Sequence, residues 1–522
     1  MHLDKVSLAD THAFSPFFLD YIQQNDKLKT FYDRFPLAEN FRAQIEEKAG
    51  SFPKSNRTTL VSVLGRQYDG FNISETLAQN LTNLKEANTF TVTTGHQLNI
   101  FTGPLYFIFK IITVINTCKK LKIQYPDYNF VPVYWMASED HDYDEIKYFR
   151  LYGRKHVWET EQQGAVGRFN TAGLDAMFNE IPGETTIFRT AYTKYNDLSS
   201  AVRYYVNELF GNRGLVVIDA DDRTLKSEFR EVMVQDIIGQ VNKPLVDNTN
   251  KKLDELGYKT QIHCRDINFF YLEDNLRARI EQQGDRFQIV DTALSFSKAE
   301  IERAISDEPE KFSPNVILRP IYQEMILPNI AYVGGPAEVI YWLQLKGVFN
   351  HFNVAFPILM PRNFAMIIDH ELSRKLAKTG ITHRELFENK NYLFNHWVLK
   401  NSSRNLTVGQ ESEALEKIFQ TLRTRAEAVD VTLGPFVGAA GKRSLNSLEN
   451  IERKMMRAEK RLHADKLRQI EAVKESLFPN GSLQERTDNF LNFFQKDQAF
   501  IQRLEETLDP LNFEFNILSY TS

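Results

Sequence analysis

Apolar residues recur at helical intervals through the first 85 residues. Leu37, Phe41, Ile45 and Lys48 share one helix face, with charged residues around them. This stretch is expected to be a helical segment that packs on whatever follows. The period then changes. Residues 89–94, TFTVTT, are β-branched or aromatic and predict a strand, ended by Gly95. A Gly103-Pro104 turn follows, with Pro104 suited to the first position of a mostly apolar helix over 105–122. Residues 130–136, FVPVYWM, read as a second buried strand. Strand, helix and strand in this order predict parallel pairing with a right-handed crossover. A further strand is expected at 215–219, with a helix through about residue 240. Runs at 269–272, 278–281 and 287–290, around Gln283-Gly284-Asp285, predict antiparallel β structure. A second α/β run has a strand at 330–333, a Gly334-Gly335-Pro336 turn, a helix over 337–348 and a strand at 355–360 interrupted by Pro357.

The C-terminal part is helical. Leu415, Ile418 and Leu422 keep three- and four-residue spacing, as do Leu448, Ile451, Met455, Ala458 and Leu462; the second run reaches about Leu477, with Asp465 breaking its seam. A loop containing Gly434, Pro435, Gly438 and Gly441 is expected to join them into an antiparallel helical hairpin. The expected fold class is α/β with a parallel-sheet core, plus an α-helical coiled-coil domain.

Composition narrows this little further. A chain of 522 residues with 42% hydrophobic and 25% charged residues can bury a large core, which argues against a disordered chain, a small secreted scaffold or a fibre. The net charge of −5 calls for neither nucleic acid nor an anionic membrane. Cys118 and Cys264 lie far apart and outside any zinc or redox spacing. The N-terminus shows no apolar signal core. The most apolar stretch, 101–115, contains Gly103, Pro104 and Lys110 and is too short to span a bilayer. A cytoplasmic protein is expected.

Three loops at predicted strand ends could carry chemistry. The first is Ser138-Glu139-Asp140-His141-Asp142-Tyr143-Asp144-Glu145, whose crowded ionisable groups suit acid/base work or cation binding; its bland reading is an acidic turn capping a helix. The second runs from Gly95-His96-Gln97-Leu98-Asn99 through Thr102-Gly103 to Tyr106. Here His96 could donate to a developing oxyanion and Lys110 could reach a phosphate, although the spacing is neither of the common phosphate-loop motifs. A structural histidine is the competing reading. The third is Gly334-Gly335-Pro336-Ala337-Glu338, preceded by Asn315, Arg319 and Gln323. Arg319 and Arg362 could each hold a carboxylate or phosphate as a bidentate fork, or form an ordinary ion pair.

Together and in this order these stretches closely resemble the family of bacillithiol biosynthesis cysteine-adding enzymes. The resemblance rests on TGHQLNIFTGPLYFIFKIITVI (94–115), FVPVYWMASEDHDYDEI (130–146), SPNVILRPIYQEMILPNIAYVGGPAEVIYWLQL (313–345) and LMPRN (359–363). ERKMMRAEKRLHADKLRQI and LQER (483–486) extend it over nearly the whole chain.

The resemblance implies a Rossmann-like core related to class I aminoacyl-tRNA synthetases and pantothenate synthetase. On that basis residues 1–85 pack on a catalytic core of 86–400, with connecting insertions near 150–210 and 260–312. Residues 401–522 then form the coiled-coil dimerisation region and tail. The implied reaction joins L-cysteine to the glucosamine amine of glucosaminyl malate, and the implied assembly is a homodimer. ATP, with Mg2+, is implied by superfamily analogy, although Gly103-Pro104-Leu105-Tyr106 carries no histidine where that superfamily uses a histidine-rich motif. Catalytic roles are expected of His96 and Lys110, as stabilisers of negative charge, and of Asp140 or His141, as the base. Substrate contacts are expected from Gln97, Asn99, Thr102, Gly103, Tyr106 and Trp135, from Glu139 and Asp142, from Asn315, Arg319 and Gln323, and from Gly334, Gly335, Glu338, Tyr341 and Arg362. No metal site is assigned. The alternative is a metal-dependent hydrolase in which the Glu139–Asp142 cluster converges on a cation.

Overall fold

The structure is a computed structural model that describes residues 1–520. Its centre is a five-stranded sheet in the order Ile358–Pro361, Asn329–Gly334, Thr89–His96, Asn129–Met136 and Val216–Asp219. Every neighbouring pair is parallel. Parallel strands need both faces covered, which is why these segments read as nearly continuous apolar runs. The chain starts in the middle strand, moves outward through two strands on one side, and then crosses to the other side. The reversal lies between Thr89–His96 and Asn329–Gly334, so the predicted glycine loops at 95 and 334 flank the topological switch point. In open α/β sheets ligands bind in the crevice there.

The helix Tyr106–Gln124 is buried along most of its length between sheet and surrounding helices. The helix Asn40–Ser51 packs beside it: its Phe41 and Ile45 share one cluster with Phe90, Val92, Ile330 and Val333 of the sheet and with Val114, Cys118 and Leu121 of the long helix, while on the opposite face Tyr322 of Arg319–Ile326 packs on Trp135. Burying each such side chain contributes about 1.5–3 kcal/mol. Lys48, on the same helix face, is buried with them and reaches Glu324.

The antiparallel insertion is a five-stranded sheet in the order Ser295–Ser297, Arg286–Ile289, Leu276–Gln283, Phe269–Glu273 and Phe312–Pro314. Four elements depart from the periodicity reading. The N-terminal segment is not wholly helical: His2–Val6 pairs with Phe515–Ser519, which pairs with Phe364–Ile368. The helix expected after residue 219 is broken into Arg223–Ser227 and Arg230–Ile237, and the 337–348 helix into Pro336–Leu343 and Lys346–His351. The glycine-rich stretch near 434–441 is not a loop. The turn is at 430–432, and Leu433–Leu462 is one helix antiparallel to Gly409–Val429. Pro435 is tolerated because first-turn amides have no helical partner. Gly441 sits where the two helices cross, and a Cβ there would lie 2.9 Å from the Phe419 ring. Ala464–Leu477 follows after a break at His463. Among the described residues no helix is long and apolar enough to cross a membrane.

Candidate active site

The C-terminal edge of the parallel sheet opens into a cavity of about 750 Å³ at the switch point. Its floor is Gly95, His96 and Gln97 from the middle strand and Trp135 from its neighbour. Tyr106 and Lys110 enter from the long helix. Glu139, Asp140 and His141 come from the acidic loop, and Asn315, Arg319, Glu338 and Tyr341 from the second α/β run. The three predicted loops therefore meet in one place.

Lys110 and Glu338 form a buried pair beneath it. The Lys110 ammonium donates to the Gly95 carbonyl at 2.8 Å and to both Glu338 oxygens at 2.7 and 2.9 Å. Its three N–H groups are thus all engaged, so the direct contact with developing negative charge expected of Lys110 is not available to it. Glu338 also accepts from the Tyr332 hydroxyl at 2.7 Å and from Gly335. Burial alone would raise its carboxyl, but Lys110 reverses this and holds it below the usual carboxylate range. The Gly334-Gly335 turn accordingly serves Glu338 rather than offering its amides to a ligand.

His96 lies between the rings of Tyr106 and Phe107. Burial first, then the charges of Lys110 and Arg362, push its imidazole well below the ordinary value, so it is neutral at physiological pH. Its Nε2 is buried without a hydrogen-bond partner. A neutral imidazole in a cavity wall carries one N–H, which is suited to an oxygen on which charge develops.

The acidic loop divides its groups among different partners. Glu139 is buried 2.5 Å from Lys226, which also holds Asp221 at 3.0 Å. Asp140 accepts from Gln97 at 2.9 Å and from the His141 amide at 2.8 Å. His141 Nδ1 lies 2.6 Å from Arg277 Nη1. Arginine has only donors, so Nδ1 must be the acceptor and the neutral ring carries its proton on Nε2. Burial and Arg277 also lower the His141 pKa. Its one lone pair is taken, so His141 as placed cannot accept a proton, whereas the Asp140 carboxylate has lone pairs to offer. Asp142 is exposed and turns away from the cavity. The cluster does not converge, and among the described residues no three His, Cys, Asp or Glu side chains are grouped to hold a metal ion. The hydrolase alternative loses its donor set.

Arg319 is the most available cation. Nη1 donates to the Gln323 amide oxygen at 3.0 Å, whereas Nη2 is buried without a partner. Trp135, Tyr332 and Trp342 surround the guanidinium at 5.6–5.9 Å, and among the described residues no Asp or Glu pairs with it. Arg362 behaves oppositely. It lies outside the cavity, with both terminal nitrogens on Glu485 at 2.9 and 2.6 Å. That fork is already filled by a carboxylate of the chain itself.

Asn99, Thr102 and Gly103 also lie outside the cavity. Phe101, Thr102 and Gly103 all have positive φ, forming a tight reversal for which Gly103 is suited. Asn99 donates to the Glu145 carbonyl, and Asn489 donates to the carbonyls of Phe101 and Gly103. The Leu105 amide donates to the Asp488 carbonyl at 2.7 Å. The helix start is therefore covered by the 488–489 segment and does not fit a triphosphate on its first amides.

The cavity lining contains residues that no sequence signal singled out: His263 and Arg265, and Arg277 and Arg279. Arg277 and Arg279 alternate along Leu276–Gln283 and so share one face of that strand. That period was the available signal, but nothing local says the insertion folds back over the switch point.

A parallel Rossmann-like sheet, a polar cleft at its switch point and an appended helical hairpin define an enzyme of the Rossmann-like class with a coiled-coil domain. Residues 1–363 match the N-terminal Rossmann-like domain of bacillithiol biosynthesis BshC, and residues 365–520 match the C-terminal coiled-coil domain of the same family. A Flavobacterium johnsoniae protein named "Putative cysteine ligase BshC" is 41% identical over 99% of this chain and 100% of its own. Proteins of the same name from Cytophaga hutchinsonii and Chloroherpeton thalassium are 40% and 30% identical, over 99% and 97% of this chain and 99% and 96% of their own. The chain belongs to the bacillithiol biosynthesis BshC family.

Proposed function

We propose that this chain is a cysteine ligase of bacillithiol synthesis. It joins the carboxyl carbon of L-cysteine to the glucosamine amine of glucosaminyl malate, making one amide bond. The observation that carries this reading beyond family membership is Arg319: a cation with an unpartnered nitrogen in the switch-point cavity suits substrates that both bear carboxylates.

Amide formation needs an activated carboxyl, a neutral amine and a base for the amine proton. Arg319 holds a substrate carboxylate. Asp140, aimed by Gln97 and the His141 amide, takes the proton as the C–N bond forms. Neutral His96 donates to the carbonyl oxygen as it gains charge, and the leaving group departs with the electron pair of the bond that breaks. Lys110 and Glu338 fix the floor on which these groups stand. ATP with Mg2+ as the activating pair rests on superfamily analogy. The covered helix start does not fit it, and the roles above hold for any activated cysteine.

The hairpin points to a homodimer. Along Gly409–Val429 and Leu433–Leu462, Ile418, Leu422, Phe436 and Ile451 stay exposed at 55%, 42%, 68% and 49%. A helical seam this apolar suits a second copy.

The test is product detection by mass spectrometry, using purified protein, cysteine and glucosaminyl malate with and without ATP and magnesium. A mass equal to the sum of the two substrates less one water supports the ligase reading. Formation only with ATP supports nucleotide activation. No product across a nucleotide panel and cell extract would overturn it.

A further inference from the structure

Behind Arg319 lies a chain of hydrogen bonds in which every amide direction is fixed. The hydroxyls of Thr91 and Thr93 donate to Asn329 Oδ1 at 3.1 and 2.8 Å. That leaves the Asn329 amino group to donate to Glu324 Oε1, at 2.6 Å. Gln323 Nε2 donates to the same oxygen at 2.9 Å, so Gln323 Oε1 faces Arg319 Nη1. Lys48 closes the far side, donating to the Glu324 carbonyl at 3.0 Å and lying 3.4 Å from Oε2. Gln323, Glu324 and Asn329 are fully buried and Lys48 nearly so. Turning the Gln323 amide over would set its amino group against the guanidinium and its oxygen against the carboxylate, two repulsive contacts away from water.

The consequence is electrostatic. Glu324 is occupied by Lys48, Asn329 and Gln323, with a neutral amide between it and Arg319, and Glu338, the other carboxylate whose charge reaches Arg319, is held by Lys110. Arg319 is thus anchored by one nitrogen without being neutralised. Arg362, in the same protein, shows the other arrangement, in which a carboxylate fills the fork.

We propose that Gln323 is a positioning residue that holds Arg319 in the cavity wall by one nitrogen and without a carboxylate partner, leaving Nη2 unpartnered for a substrate carboxylate, and that the buried Lys48–Glu324–Asn329 group sets the direction of the Gln323 amide. This rests on the ligase reading for the identity of the substrate, but not for the charge or geometry of the receptor. The carboxylate belongs either to cysteine or to glucosaminyl malate.

The test uses the full chain with Gln323→Glu, which supplies a competing carboxylate, and Gln323→Met, which keeps the length and removes the amide. Circular dichroism and thermal melting establish that each variant is folded. Steady-state kinetics are read for both substrates, and binding of L-malate and L-cysteine is followed by titration calorimetry without turnover. Losing a hydrogen-bonded charge contact made equally in ground and transition states raises KM with kcat kept, by about tenfold or more. The expected result is such a rise for one substrate, and the substrate affected names the source of the carboxylate. If the wild type makes no product but either variant weakens malate or cysteine binding tenfold, the ligase reading fails and the positioning role stands. The role is overturned if folded variants keep both KM values and both affinities, if only kcat falls, or if the wild type neither turns over nor binds either acid.

Discussion

Asp140 and His141 are adjacent, yet the structure gives them opposite fates. Arg277 takes the only lone pair of the neutral His141 ring, whereas the Asp140 carboxylate, oriented by Gln97 and by the His141 and Asp142 amides, lies 3.8 Å from the same guanidinium at the cavity wall. Asp140→Asn preserves shape and removes the base, so kcat is expected to fall by about 10²–10⁴-fold while His141→Asn costs much less, as read by steady-state product formation. A second residue prediction concerns pH. Asp236 is buried and accepts from Asn242 and Asn268, the latter a residue of the cavity wall. Burial outweighs those bonds and raises its carboxyl to about 6 from the usual 3.8. The folded chain therefore holds this proton more tightly than the unfolded chain. The stabilising contribution is complete below the usual value and is lost as pH rises through about 6. Urea unfolding across pH 4–7 is expected to show this decline in the wild type and a flatter profile in Asp236→Asn; equal slopes would contradict it.

At the scale of elements, what the sequence disclosed was local. The strands at 89–94, 130–136 and 330–333 announced themselves by runs of β-branched, aromatic and apolar residues, and the loops behind them by glycines and crowded polar residues. Those signals need only a few neighbouring residues. Arg277 on His141 joins positions 136 residues apart, and the sheet of His2–Val6, Phe515–Ser519 and Phe364–Ile368 joins nearly the two ends of the chain. No period of two or 3.6 encodes such partners. The same limit hid the fate of Arg362, whose partner Glu485 belongs to the short helix Gln484–Thr487. Glu485 also accepts from the Ala365 amide at 3.0 Å, so it ties that helix to the strand Phe364–Ile368. Removing one member of a buried pair strands the other. Glu485→Leu is expected to cost about 3–5 kcal/mol in chemical denaturation. A loss below 1 kcal/mol, roughly that of an exposed pair, would show that this pair is not an anchor.

For the whole molecule, the strand order places the site. Because the chain begins mid-sheet and reverses, Gly95 and Glu338 come to one crevice, and the antiparallel insertion supplies its basic mouth. The hairpin supplies no residue to this cavity, and its exposed apolar seam is the proposed dimer contact. Ile418→Glu with Ile451→Glu is expected to convert a dimer to a monomer by multi-angle light scattering at micromolar concentration. An unchanged mass would place the dimer interface elsewhere.

The central claim is that the switch-point cavity is where cysteine meets glucosaminyl malate. A crystal structure of the full chain with glucosaminyl malate bound tests it most directly. The ligand is expected between Gly95 and Arg319, its glucosamine amine facing Asp140. Glucosaminyl malate seated away from the sheet's C-terminal edge, with the cavity unchanged, would contradict it.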